Sequence, residues 1–430
     1  MPDKIDIVVF GATGITGKHV IPYLAKFCKK EYRHLTWGIA GRSEKKLREI
    51  LNYCEKKTDY VLQNVPILIA DVQDEKSLQK MARQARVIIN CCGPFRFFGE
   101  PMIKACVEEG THHIDVSGEV QFIEEMQLKY HKKAEEKGVY IISACGFDSI
   151  PSDMGIVFAQ QNFSGTLNSV ETYLEVWEEG NPGSGSAINY GTWESLVYVI
   201  GLANELKKIR QKLFPKRLPS FQPKLKMKLL PRKTNIVEGW ILPFRTTDRS
   251  VVLRTQRYFY ERHSRRPIQM DSYFAVKSFL GVLLMIFGGL IILLMSKFSF
   301  GRKLLLKYPE KFTNGFVTHE TPSIERADNG HFSMTFYGEG WKENLPDANH
   351  QYTSPPNRAI TARVKGNNPA YGTTCICLAL SAITIITETS KMPRSGGVYP
   401  PGYAFANTSL VKHLNANGVT FEILRETELK

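Results

Sequence analysis

Apolar residues in the first third of the chain come in short continuous runs, separated by stretches in which they recur every three or four positions. Runs at 4–10, 35–40, 65–70, 86–92, 112–116 and 139–144 predict six strands, and the spacing between them predicts helices beginning near Ile15, Glu44, Glu75, Glu100 and Glu119. This alternation is the pattern of a doubly wound parallel sheet, a Rossmann-type α/β fold whose ligands sit past the carboxyl ends of the strands. From about residue 151 the regularity fades. A helix is predicted over 152–161, strands over 169–176, 331–337 and 358–365, and a helix over 369–390. The chain is therefore expected to divide into a first domain, 1–150, and a second α+β domain, 151–430, to which the late strands and helix belong.

The residues just past each predicted strand form the expected crevice. Strand one runs into Gly11-Ala12-Thr13-Gly14-Ile15-Thr16-Gly17. Glycines at this spacing turn the backbone sharply, admit a pyrophosphate and bring the helix close to the strand; Gly11, Thr13, Gly14, Ile15 and Gly17 are the expected phosphate contacts. The alternative is an ordinary glycine-rich turn. Strand two ends at Gly41-Arg42-Ser43, without the acid that would hold the ribose hydroxyls of NAD. Arg42, helped by Ser43 and Lys46, suits a 2′-phosphate, so NADP is favoured with NAD still open; otherwise Arg42 is simply solvated. Asp71 is either an adenine acceptor or the N-cap of the next helix. Asn90, Cys91, Gly93 and Pro94 are expected to line the nicotinamide end. Asp115, Glu119 and Asp148 stand at strand ends as weak catalytic candidates, each with a helix-capping or boundary role as its alternative, and no firm catalytic pair is found.

One later segment breaks the globular pattern. Residues 279–295 are apolar on every face of a helix and are flanked by Lys277 and Lys297. As one helix the run would reach about 26 Å, short of a roughly 30 Å hydrocarbon core, and basic residues on both sides name no outer face. A monotopic element is expected, either a shallow in-plane helix or a hairpin bent at Gly288-Gly289, with its basic flanks on acidic headgroups.

The net charge of +14 fits an anionic partner. Much of it falls in a basic arm at about 205–266. Its adjacency to the apolar run and its few interleaved aromatics favour a lipid surface over nucleic acid, which is not expected as a partner. Eight cysteines without zinc spacing predict no metal and a reducing compartment. No secretory signal is read at the N-terminus. The expected location is a lipid droplet or the cytoplasmic face of an organelle membrane. Oligomeric state is left open, a homodimer included.

GATGITG, AGRS, NCCGPF, Ile114–Glu119, Gly146–Asp153, Gly191-Thr192 and Gly396–Gly402 together resemble the saccharopine dehydrogenase family, and the resemblance runs along essentially the whole chain. It implies an NAD(P)-binding Rossmann domain, a second α+β domain, and relatives that include saccharopine reductases and trans-acting enoyl reductases of glycolipid synthesis. It also implies association with lipid droplets and membranes. The second domain shows no cluster of arginines suited to a dicarboxylic amino acid, so a lipid-related carbonyl, imine or enoyl substrate is favoured over saccharopine. The alternative is a lipid-surface protein that keeps the dinucleotide fold without catalysis.

Overall fold

Alternate side chains of the first strand go to opposite faces, Ile7 and Val9 to one core and Val8 and Phe10 to another, as expected of a strand covered on both sides. The computed structural model describes residues 4–429 apart from 148, 181–184, 245–246, 321–322, 345–346, 353 and the side chains of 324 and 325. Strands β1 (Ile5–Phe10), β2 (Trp37–Gly41), β3 (Ile67–Ile69), β4 (Ala85–Asn90), β5 (His112–Asp115) and β6 (Tyr140–Ile142) are parallel in the order β6-β5-β4-β1-β2-β3. Helices α1 (Ile15–Lys30) and α2 (Glu44–Lys57) cover one face through Ile21, Leu24 and Leu47. The other face is covered by α3 (Glu75–Arg83), α4 (Phe95–Glu109) and α5 (Val120–Lys137) through Leu78, Ile103 and Phe122.

α4 begins at Phe95, five positions before the expected Glu100. The reason is a cap from another element: the Glu119 carboxylate accepts the backbone N–H groups of Phe95 (2.8 Å) and Arg96 (3.0 Å).

The second sheet is mixed. Its strands β7 (Thr166–Glu178), β8 (Trp240–Pro243), β9 (Gln269–Val276), β10 (Gly330–Trp341) and β11 (Arg358–Asn367) are joined by a C-terminal strand, Thr420–Glu428, which pairs with β11. Even-numbered side chains of β7, β10 and β11, such as Leu174, Phe336 and Val364, enter the same core as α1 and β1.

The helix expected over 369–390 does not complete the second domain. Its regular part, Thr374–Thr387, packs on the first sheet against α1, β1, β4 and β5, with Cys375 and Leu378 fully buried. The strand Gly397–Tyr399 then pairs with β6 as a seventh strand of that sheet. The physical cause is an uncovered surface. α1 and α2 shield only the β1–β3 half of their face, and a helix apolar on all sides needs apolar neighbours on both flanks.

The basic stretch is also more ordered than an arm. It includes α6 (Ala203–Leu213) and α7 (Thr247–His263). Much of its charge is used internally: Arg210 grips the buried Glu124 at 2.6 Å, Arg262 pairs with Glu135 and Arg254 is buried.

The apolar run forms one unbroken helix, Phe279–Ser296, that passes through Gly288-Gly289, so the hairpin alternative is not adopted. Of its 18 residues only Val282 and Ser296 are buried. One edge rests on the helices Tyr190–Gly201 and Ser299–Lys307 through Ile292, Met295, Trp193, Val197 and Leu305.

Leu378→Ala is expected to lower unfolding free energy by about 2–5 kcal/mol, the cost of a cavity in a close-packed core. Because one core serves both sheets, denaturation followed by near-ultraviolet circular dichroism and by amide exchange in each sheet should shift together. A shift confined to the second sheet would contradict this packing.

Candidate functional site

At the carboxyl edge of the first sheet, Gly11 adopts φ +79°, and a Cβ there would lie 2.6 Å from Cys92 Sγ. A Cβ on Gly17 would lie 2.3 Å from the Gly11 carbonyl oxygen, so α1 can sit this close to the turn only with glycine at that point. Gly14 opens α1 without a side-chain cap, and the first helical bond runs from Lys18 N–H to the Gly14 carbonyl at 2.9 Å. Thr13 and Gly14 are exposed. The first-turn amides, Ile15 among them, are therefore left to an external acceptor, with the positive end of the helix dipole behind them. A pyrophosphate fits this cradle.

Arg42 is exposed beyond β2 and, among the described residues, has no ion-pair or hydrogen-bond partner. Ser43 is engaged otherwise, because its Oγ accepts Lys46 N–H at 3.4 Å and caps α2. Past β3 the N-cap of α3 is Asp74, not Asp71. The Asp71 carboxylate accepts Gln73 N–H at 3.0 Å in a local turn at the crevice edge.

The loop after β4 is shaped from inside. Asn90 is fully buried, its Oδ1 accepts Cys92 N–H at 3.0 Å, and its Nδ2 lies 3.4 Å from His113 Nε2. It builds the turn and does not face the crevice. Cys91 N–H donates to the Phe10 carbonyl at 2.9 Å, while Gly93 is exposed and Pro94 precedes α4. Burial pushes the Cys91 thiol well up and that of Cys92 to about 12, so neither supplies a thiolate near neutral pH.

The two described carboxylate candidates are both engaged. Asp115 Oδ1 accepts Ser117 N–H (2.9 Å) and Ala144 N–H (3.2 Å), and Oδ2 accepts the Ser143 hydroxyl (2.8 Å), which ties β5 to the end of β6. Burial outweighs these donors and lifts its pKa to about 6. Glu119 holds the N-terminus of α4 and also accepts the Ser195 hydroxyl at 3.0 Å. Asp148 lies outside the described residues. Its neighbour Phe147 donates its N–H to Thr374 Oγ1 at 3.1 Å.

The structure adds a group that no spacing announces. His19, in the second turn of α1, stacks on Tyr371 with ring centroids 4.7 Å apart. The Tyr371 hydroxyl lies 3.4 Å from Asn189 Nδ2 at the start of the helix Tyr190–Gly201. His19 Nδ1 lies 2.7 Å from the Ile15 carbonyl, and burial keeps the imidazole below its ordinary pKa, leaving it neutral. Residues 19, 189 and 371 meet only through tertiary structure.

An uncapped helix behind a glycine turn, at the carboxyl edge of a parallel sheet, defines a dinucleotide-binding domain. Residues 7–142 match the family described as the saccharopine dehydrogenase NADP-binding domain. A human protein named saccharopine dehydrogenase-like oxidoreductase is 39% identical over 427 residues, covering 98% of each chain. A Caenorhabditis elegans protein named lipid droplet localized protein is 37% identical over 434 residues, covering 99% of this chain and all of that one. Saccharopine dehydrogenase (L-Glu forming) of Saccharomyces cerevisiae shares the fold, with TM-score 0.56 at 12% identity over 99% of this chain and 100% of that chain. The chain belongs to the saccharopine dehydrogenase-like oxidoreductase family.

The raised pKa of Asp115 has a signed consequence. Between 3.8 and about 6 the native state holds this proton more tightly than the unfolded chain, so stability falls as pH rises through that window. Asp153, buried and also raised to about 6, acts in the same sense. Asp115→Asn should flatten the urea-midpoint profile between about pH 4 and 6 in part, and Asp115→Asn with Asp153→Asn further; an unaltered slope in both would show these carboxylates are ionised at no cost.

Proposed function

We propose that the chain is an NADP-dependent oxidoreductase that works at a lipid surface and reduces a carbonyl, imine or enoyl group of a lipid-related substrate. The observation that carries this reading is the helix Tyr190–Gly201. On one side Trp193 and Val197 pack into the cluster that holds the apolar helix Phe279–Ser296. On the other, Asn189 at its start meets Tyr371, and Ser195 bonds Glu119 at the crevice. One helix thus joins the cluster under the apolar surface to the strand ends.

In this reading Gly11, Thr13, Gly14, Ile15 and Gly17 hold the pyrophosphate and Arg42 takes the 2′-phosphate. Asp71 stands on the adenine side, and Cys91, Gly93 and Pro94 border the nicotinamide end. The cofactor, when bound, supplies hydride. The chain's own part is to orient the acceptor against the loop 91–94, with the stacked His19 and Tyr371 rings beside the α1 terminus. The apolar helix is about 27 Å long and keeps one edge against the protein, which supports lying in the surface over crossing it. The name of the worm relative supports a lipid droplet as the location. A second reading, a lipid-surface protein without turnover, is favoured by one observation: Asp115 and Glu119 are both consumed in structural hydrogen bonds.

Titration with both reduced cofactors should show tighter binding of NADPH than NADH. Arg42→Ala should remove about 1–3 kcal/mol of that difference through lost charge-assisted bonds, and equal affinities in the unaltered protein would reject the assignment of Arg42.

Turnover is tested with deuterated NADPH and a cellular lipid extract. Label is expected in a lipid product, and Gly14→Asp, which puts a carboxylate into the phosphate cradle, should abolish it. Folded, NADPH-binding protein that transfers no label would favour the second reading.

A further inference from the structure

The irregular segment between α6 and β8 ends in a projection. Leu229 and Leu230 are 69% and 80% exposed, and Leu230 is the most exposed large aliphatic side chain among the described residues. They follow Lys224, Lys226 and Lys228, which are exposed and, among the described residues, have no acidic partner. No Asp or Glu occurs between Glu205 and Glu238.

This is a fixed feature of the second sheet. Leu225 N–H donates to Gln269 Oε1 at 3.0 Å and Lys228 N–H to the Tyr273 hydroxyl at 3.2 Å. Arg232 and Ile241 exchange two backbone bonds of 3.2 and 2.7 Å, while the Arg232 guanidinium pairs with Glu171 at 3.2 Å. Lys233 Nζ then lies 5.5 Å from the Trp240 ring, whose centroid is 5.0 Å from that of Phe279, the first residue of the apolar helix. The segment that carries the leucine tip thus runs through Lys233 to the indole, and the indole adjoins the start of that helix.

We propose that segment 224–233 is a second lipid contact, built for a surface rich in anionic phospholipid. Leu229 and Leu230 enter the acyl region, Trp240 sits at the headgroup level, and Lys224, Lys226 and Lys228 meet the phosphates. The chemistry of each group matches that depth: leucine is taken up by hydrocarbon, tryptophan prefers the interface, and lysine near an acidic leaflet is attracted within a Debye length. A protein partner would have to cover the long apolar helix as well, and the lysines would then be desolvated without acids to meet them. The inference rests on the lipid-surface reading above and adds an orientation. A single in-plane helix leaves the protein free to roll about the helix axis; a second contact off that axis stops the roll and fixes how the helix Tyr190–Gly201 faces the lipid.

The full chain, synthesised in the presence of vesicles, is assayed by flotation on pure phosphatidylcholine and on phosphatidylcholine with phosphatidylserine. Unaltered protein should float with both, more strongly with the acidic vesicles, and lose the excess in high salt. Leu229→Asp with Leu230→Asp should lower binding to acidic vesicles about tenfold, while Lys224→Glu, Lys226→Glu and Lys228→Glu together should abolish the difference between the two vesicle types. NADPH binding checks that both variants are folded. Trp240 gives an independent reading: brominated acyl chains should quench a component of fluorescence that Trp240→Phe removes and the leucine variant weakens. Flotation and quenching unchanged in both variants would overturn the second contact and leave the lipid-surface reading standing. Failure of the unaltered protein to float with any vesicle would remove both, and Leu283→Asp with Leu284→Asp, in the apolar helix, separates the cases by abolishing flotation on either vesicle while the tip is intact.

Discussion

The packing of one apolar helix, Thr374–Thr387, on the first sheet is the constraint on which the rest of the molecule depends. It fills the half of the sheet face that α1 and α2 leave bare, and in doing so joins Val87 and Ile89 of β4 to Phe336 and Val364 of the second sheet in one core. Close-packed interiors transmit strain and resist hinge motion. The crevice is therefore walled on one side by a fixed element from the far end of the chain. Its first residue and the turn before it reach the strand ends directly, with Thr374 Oγ1 bonded to the Phe147 amide and Tyr371 stacked on His19.

Two helix N-termini open at neighbouring strand ends, α1 after β1 and α4 after β4, and either could hold an anion on dipole grounds alone. Glu119 decides between them. Its carboxylate already occupies the α4 terminus with two charge-assisted bonds, so the free positive end is that of α1. This also explains why a buried acid at the crevice is poorly placed to move protons. Releasing it would orphan the buried Phe95 amide, a desolvation cost of about 1–3 kcal/mol, and would free the half-buried Arg96 amide and Ser195 hydroxyl.

What was legible in the sequence was what is locally encoded. The first strand, the turn Gly11–Gly17 and the start of α1 at Ile15 follow from apolar alternation and from glycines whose neighbours lie within a few residues, and the family resemblance rested on the same local motifs. The start of α4 was not legible, because its cap comes from Glu119. Nor was the destination of residues 374–399. An uncharged, largely apolar helix says that it is buried and not against what, so it reads equally well as part of either domain. Asp71 and Asp74 illustrate the fine grain: both follow β3, and only the turn geometry tells which one caps α3. The basic stretch was legible in part, since charge counting finds its free lysines but cannot see that Glu124 and Glu135, from α5, lie across from Arg210 and Arg262.

The helix Tyr190–Gly201 is where the two halves of the molecule's chemistry meet. Its buried stripe is committed to the cluster beneath the apolar helix, and its polar stripe to Glu119 and Tyr371. A rigid element with two committed faces cannot move at one without moving at the other. The apolar helix and Glu119 are therefore linked through it, and Glu119 in turn holds the first turn of α4, where Arg96 adds a pair to Glu205 at 3.2 Å and the Phe97 ring meets Tyr198 edge-on at 5.5 Å. Coupling of this kind requires a contiguous packed path and two arrangements of comparable energy. The packed path is present in the fold, from Ile292 and Met295 through Trp193 and Val197 to Ser195 and Glu119.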